Sequence, residues 1–193
     1  MLTRLQHLSV RASIPLLAAT VGLGAATAPA YGRAMPRHRV AAAVPRLVVS
    51  QINGVRGQFR LGGGQLTARY DAAVRAAAVG HRDPNLPVPG RGTIAEYGLW
   101  GIEAESTLAT NTAVEGIVRR WVFFDGWRGA DTWNVDCSRP SAPGCNGHRR
   151  AVLSAPPVPH ATLSIDAAYT RTVRRGVPSV SVAVLMVWTK NRA

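Results

Sequence analysis

Apolar positions recur at helical spacing in three stretches and follow a strand pattern in three others. Leu47, Val48, Ile52 and Val55 predict a first helix that starts near Pro45, a residue suited to a first helical turn, and ends about Gly57. Tyr70, Ala73, Val74, Ala77 and Ala78 make one face of a second helix, from about Thr67 to Gly80. His81 and Arg82 close it, where a cation complements the helix C-terminus. Val114, Ile117, Val118 and Trp121 form the inner face of a third helix, Ala113 to Phe124, which Asp125-Gly126 ends. Ile94 to Glu103 reads as a short strand interrupted by Gly98 and Gly101. Thr162 to Ala167 alternates, with Arg171 as its furthest extent, and Val173 to Pro178 is the turn that follows. In the last strand Val180, Val182, Val184, Met186 and Trp188 share one face, and Ala183, Leu185 and Val187 fill the other. A strand covered on both sides belongs at the centre of a sheet with helices on both faces. Gly62-Gly63-Gly64 is a flexible turn, not a phosphate loop, because no Lys-Ser/Thr pair follows it.

The N-terminus follows a different logic. Residues 1–30 have the layout of a secretory signal: Arg4 and Arg11, then the apolar run Ile14 to Leu23, then Ala28-Pro29-Ala30 as a small-x-small cleavage site. The run is short for a membrane span, and no later segment is long enough to be one. Residues 31–44, rich in Arg, Pro and Ala, are expected to be a disordered lead-in, and 45–193 to be one folded domain. Export makes a disulfide the expected state of Cys137 and Cys145, with seven residues between them. Closing so short a loop contributes on the order of 2–3 kcal/mol in the chain-entropy picture.

Charge divides the chain. The formal net charge of +13 becomes +11 without Arg4 and Arg11. Residues 31–95 carry +8, residues 96–136 carry −4 and residues 137–193 carry +7. Basic flanks favour anionic partners such as phospholipid or an envelope polymer. An exported chain seldom meets nucleic acid, and nucleic acid is not expected as a partner.

The chemistry is densest between Trp121 and Leu153, which holds both cysteines, four aromatics after the first tryptophan and His148. Asp125, Asp131 and Asp136 read as turn and capping groups. Ser138, Ser141 and Ser154 lie near His148 in sequence, but no nucleophile-elbow pattern accompanies them.

Several segments carry a family resemblance. They are Asn53-Gly54-Val55-Arg56 in the first helix, Leu66 with Ala77 to His81 around the second, Asn134-x-Asp136-Cys137, and Cys145-Asn146-Gly147-His148-Arg149-Arg150-Ala151-Val152-Leu153. With them the chain from Leu47 to Lys190 resembles the CAP superfamily (SCP domain) of cysteine-rich secretory, antigen five and pathogenesis-related proteins, most of all its bacterial, actinobacterial-type members. The resemblance implies an α+β fold: a three-layer α-β-α sandwich with a mostly antiparallel central sheet and a cleft over it. In many members the cleft holds two histidines and two acids that bind a divalent metal. Here His148 stands at one histidine position, and the region after the second helix supplies no other. One acid position falls on Leu99 if Gly98 takes the family's glycine position, or on Glu96 if the register slips. The other falls on Phe124, with Asp125 one residue further on. His148, Glu96 and Asp125 are therefore the candidate catalytic or metal-binding residues, and they make an incomplete set.

The expectation is a secreted, extracellular or envelope protein, non-catalytic, that binds a lipid-like ligand or an anionic envelope polymer through its cleft or surface. Trp127, Arg128 and Trp133 are the candidate ligand surface, and no cofactor is required. The alternative is a divalent-metal-dependent hydrolase, with zinc held at a degenerate site by His148, Glu96 and Asp125.

Overall fold

Ten successive residues, Ser179 to Trp188, are buried without a break, and the sheet is built around them. The computed structural model describes residues 37–86, 88–105 and 110–190, with side chains from residue 43 onward. The expected signal segment and residues 31–36 of the lead-in lie outside the described residues. The elements in order are α1 (Arg37–Gln58), β1 (Gln65–Leu66), α2 (Asp71–Gly80), β2 (Thr93–Ala104), α3 (Thr110–Phe123), α4 (Gly147–Val152), β3 (Ala161–Arg174) and β4 (Val177–Lys190). The fold is α+β, with a mixed four-stranded sheet in the order β1-β3-β4-β2. β4 pairs antiparallel with β3 and β2, and the two-residue β1 pairs parallel with β3.

β4 lies inside the sheet, as its two-sided apolar pattern predicts. Val180, Val182, Val184, Met186 and Trp188 join the larger core with α1, α3 and α4. Ala183, Leu185 and Val187 meet Val74, Ala77 and Ala78 of α2 in the smaller core on the other face. The hairpin between β3 and β4 is tighter than the sequence suggests. Arg175 and Gly176 both have positive φ, 51° and 78°, the two-residue turn that matches strand twist.

Three elements differ from expectation. α1 starts at Arg37, so residues 37–44 are helical and Pro45 lies inside the helix. The rigid φ of proline fits a helix, and burial of Val44 (3% exposed) and Val48 (0%) holds the turn on either side of it. α2 begins at Asp71 instead of Thr67, because Gln65–Leu66 is taken up by β1 and Thr67 N–H donates to Ile165 O (2.9 Å). β2 is one strand of 12 residues, uninterrupted by its glycines. Gly98 permits a close approach: a Cβ there would overlap the Pro84 carbonyl oxygen, so the chain leaving α2 lies directly on the strand.

The Asn-x-x-Arg segment of α1 works as a clasp. Asn53 donates to Gly64 O (2.9 Å) and accepts from Gly64 N–H (2.8 Å). Arg56 Nε donates to Gly62 O (2.7 Å), and its Nη1 donates to Val152 O (2.6 Å) and Ser154 O (3.0 Å). The triple-glycine turn is thus gripped by α1, and Gly64 packs where a Cβ would fall 2.6 Å from Ile165.

Asp166 is a buried acid in β3, and its Oδ2 accepts from Tyr70 N–H (2.6 Å). Burial pushes its pKa above the ordinary carboxylate value, and the backbone donors Tyr70 and Ala167 pull it back in part. The folded chain therefore holds this proton at pH values where the unfolded chain has lost it, and stability falls as pH rises from the unfolded pKa through the folded one. Asp166→Asn, which keeps an acceptor for Tyr70, is expected to flatten that slope and to be at least as stable as wild type at neutral pH. Urea melts of both proteins across the acidic range read the difference.

Candidate functional site

Trp100 of β2 organises the site from the outer edge of the sheet. Its carbonyl accepts from the Trp121 indole Nε1 (3.0 Å), and Asp83 lies close enough for the Trp100 backbone N–H to act on its carboxylate. These two partners bring the end of α3 and the segment after α2 to the same point on the strand. His148, in the first turn of α4, sits beside them. Its imidazole lies parallel to the buried Trp121 ring, with centroids 6.1 Å apart and 10° between planes, and the Trp133 ring tilts against it at 6.1 Å.

Asp125 sets the orientation of that imidazole. Asn146, the residue before α4, has left-handed backbone (φ 61°) and offers no side-chain cap to the helix. Asp125 supplies the cap from outside. Its Oδ2 accepts the Arg149 N–H (2.9 Å), and its backbone oxygen accepts the Asn146 N–H (3.1 Å). Its Oδ1 accepts from Asn134 Nδ2 (2.8 Å) and from His148 Nδ1 (2.8 Å). A carboxylate can only accept here, so Nδ1 carries a proton and Nε2 is turned away from Asp125. Asp125 is 1% exposed, so its bond to His148 is shielded from water.

On its other side His148 Nε2 faces Asp83 Oδ1 at 3.9 Å. Partial burial pushes the Asp83 pKa above the ordinary value, while the charge of a protonated His148 and the Trp100 N–H draw it down. Both groups line a cavity of about 530 Å3 that also takes in Trp100, Ile102, Trp133 and Arg174. The Cys137–Cys145 disulfide has formed and braces the loop that carries Asn134 to the site. Cys145 also precedes the turn into α4, so one cross-link steadies two walls.

The candidate residues separate as follows. His148 and Asp125 are brought together. Glu96 is engaged elsewhere: its Oε1 accepts from Leu86 N–H (3.4 Å), and it does not line the His148 cavity. Leu99, the alternative at that register, is fully buried in the larger core. Trp133 lines the cavity, whereas Trp127 (40% exposed) and Arg128 lie outside it. Among the described residues no group of three His, Cys, Asp or Glu is placed to hold a metal ion. Asp83 and Trp100 are site residues that the sequence pattern passes over, whereas Asn134 stands in the Asn134-x-Asp136-Cys137 segment. For Asp83 the available signal is an acid just after the residues that close the second helix.

Comparison with known proteins brings no match. No family model, curated protein or solved structure matches this chain.

Proposed function

We propose that this chain is a secreted CAP-type domain, an α-β-α sandwich, whose His148 cavity binds a component of the cell envelope without carrying out chemistry on it. One observation carries the reading: an imidazole locked at Nδ1 by a buried carboxylate turns Nε2 into a cavity walled by two tryptophans. A concave site with aromatic walls and a few fixed polar groups is the usual form of a binding pocket. Hydrolysis through a hydroxyl nucleophile finds no support. Thr132 is the hydroxyl-bearing residue among those lining the cavity, and its Oγ1 already donates to Gly129 O (2.8 Å) and accepts from Arg128 N–H (2.8 Å). The disulfide is consistent with an oxidising compartment.

The test is co-sedimentation with insoluble bacterial cell-wall material at physiological salt. Wild type is expected to pellet, and His148→Ala to lose at least five-fold of that binding. Retention that ignores His148→Ala and collapses with added salt would mean general cationic adhesion instead.

A metal-dependent reading has one point in its favour. A histidine fixed at one nitrogen by a carboxylate is the arrangement that orients metal ligands. His81, Asp83, Asp136 and His148 all line the cavity, but among the described residues no three such groups are placed together to hold an ion, the Asp125 carboxylate already accepts from three donors, and Glu96 is elsewhere. A zinc site needs three or four ligands converging on one point, so the residues do not fit a resident zinc. Calorimetric titration of zinc into wild type and His148→Ala is expected to show no tight stoichiometric binding that depends on His148.

A further inference from the structure

A second cavity, of about 680 Å3, abuts the first, and Thr132 and Trp133 line both. Its floor is the α3 face at Gly116, and its walls reach the end of β2 and Phe124. We infer that the two cavities form one groove that takes an extended, uncharged sugar chain, with Thr132 and Trp133 as the ridge between two subsites. This rests on the reading of the His148 cavity as a binding site and names what occupies it.

Charge balance decides the class of ligand. The first cavity sets Arg82 and Arg174 against Asp83 and Asp136, two cations to two acids. The second sets Arg119 and Arg120 against Glu103 and Asp131, again two to two, with Arg120 bridged to Glu103 at 2.9 Å. An anionic polymer would meet a carboxylate at every step of such a groove. A lipid tail would strip water from charged groups and give nothing back. Sugar hydroxyls both donate and accept, so one ligand satisfies guanidinium and carboxylate together. Trp100, Trp133 and Phe124 offer the apolar faces of sugar rings the surface left beside their own neighbours, His81 on Trp100, Arg120 on Trp133 and Arg128 on Phe124. Two adjoining cavities of this size suit a chain of rings better than a single small molecule.

Gly116 provides a clean probe. A Cβ there meets Glu103 Oε2 at 3.5 Å, an ordinary contact, so Gly116→Leu fills the second cavity while favouring the helix. Thr112→Trp blocks the same cavity from an exposed position and serves if Gly116→Leu unfolds. The measurement is calorimetric titration with disaccharides and pentasaccharides of the chitin, cellulose and maltose series, and with polygalacturonate, at physiological salt. At least one pentasaccharide is expected to bind ten-fold or more tightly than its disaccharide. Gly116→Leu or Thr112→Trp should abolish that gain and leave disaccharide binding intact, His148→Ala should weaken both, and polygalacturonate should bind no better than the neutral chains. Binding without length dependence, indifference to both blocking variants, or preference for polygalacturonate would overturn the groove. So would failure of all three series, and the cell-wall assay then separates the cases. His148-dependent pelleting without sugar binding sinks the groove alone, and absence of both sinks the underlying function as well.

Discussion

Arg56→Ala is expected to destabilise the protein by about 3–5 kcal/mol, among the largest effects of any single truncation. The guanidinium is fully buried and joins three parts of the fold through Gly62, Val152 and Ser154 carbonyls. Truncation leaves those acceptors without their donor in a site closed to water, and it removes the guanidinium lying 5.6 Å from the Trp188 ring centroid. Two features limit the loss. Burial lowers the Arg56 pKa, which shows that the charge is held at a desolvation cost, and Nη2 has no hydrogen-bond partner. Arg56→Met should therefore recover part of the stability, since it restores the stem's packing and introduces no charge. Urea denaturation of the three proteins measures this. Equal midpoints for wild type and Arg56→Ala would show that the clasp contributes nothing.

Asp125→Ala is expected to cost about 2–4 kcal/mol and, separately, to remove His148-dependent binding. The stability loss comes from the α4 N-terminus and the Asn134 amide, which lose their shared acceptor. The binding loss comes from His148, whose ring is released to turn about its side-chain bonds. His148→Ala isolates the second effect. It should weaken binding by at least five-fold at a smaller cost to the fold, because Asp125 keeps its backbone and amide donors. If Asp125→Ala and His148→Ala lost equal stability, the capping role of Asp125 would be wrong.

Much of this fold is legible in the apolar periodicity. β4 announces its central place because both of its faces are apolar over a whole strand. α3 announces its inner face through Val114, Ile117, Val118 and Trp121, all of them buried. The disulfide follows from spacing and the expectation of export. Other features depend on contacts that no local pattern encodes. α4 is six residues long and carries no cap of its own, so its existence depends on Asp125, more than twenty residues upstream. α1 extends through Pro45 because the core on one side of the proline outweighs its local preference. Gly98 looks like a strand breaker until the chain after α2 is seen lying on it. Asp83 joins the site because that same crossing, Pro84 on Gly98, brings it opposite His148 Nε2. Glu96, the acid reached only if the register slips, is drawn off by Leu86 N–H, an interaction between a strand and a loop ten residues away.

The decisive measurement is nitrogen NMR of the histidine rings, with His148 assigned by its disappearance in His148→Ala. The neutral ring is expected as the Nδ1–H tautomer, with Nε2 bare and its resonance moving when cell-wall fragments or a bound pentasaccharide are added. A dominant Nε2–H tautomer, or an Nε2 resonance indifferent to a ligand that demonstrably binds, would contradict the account.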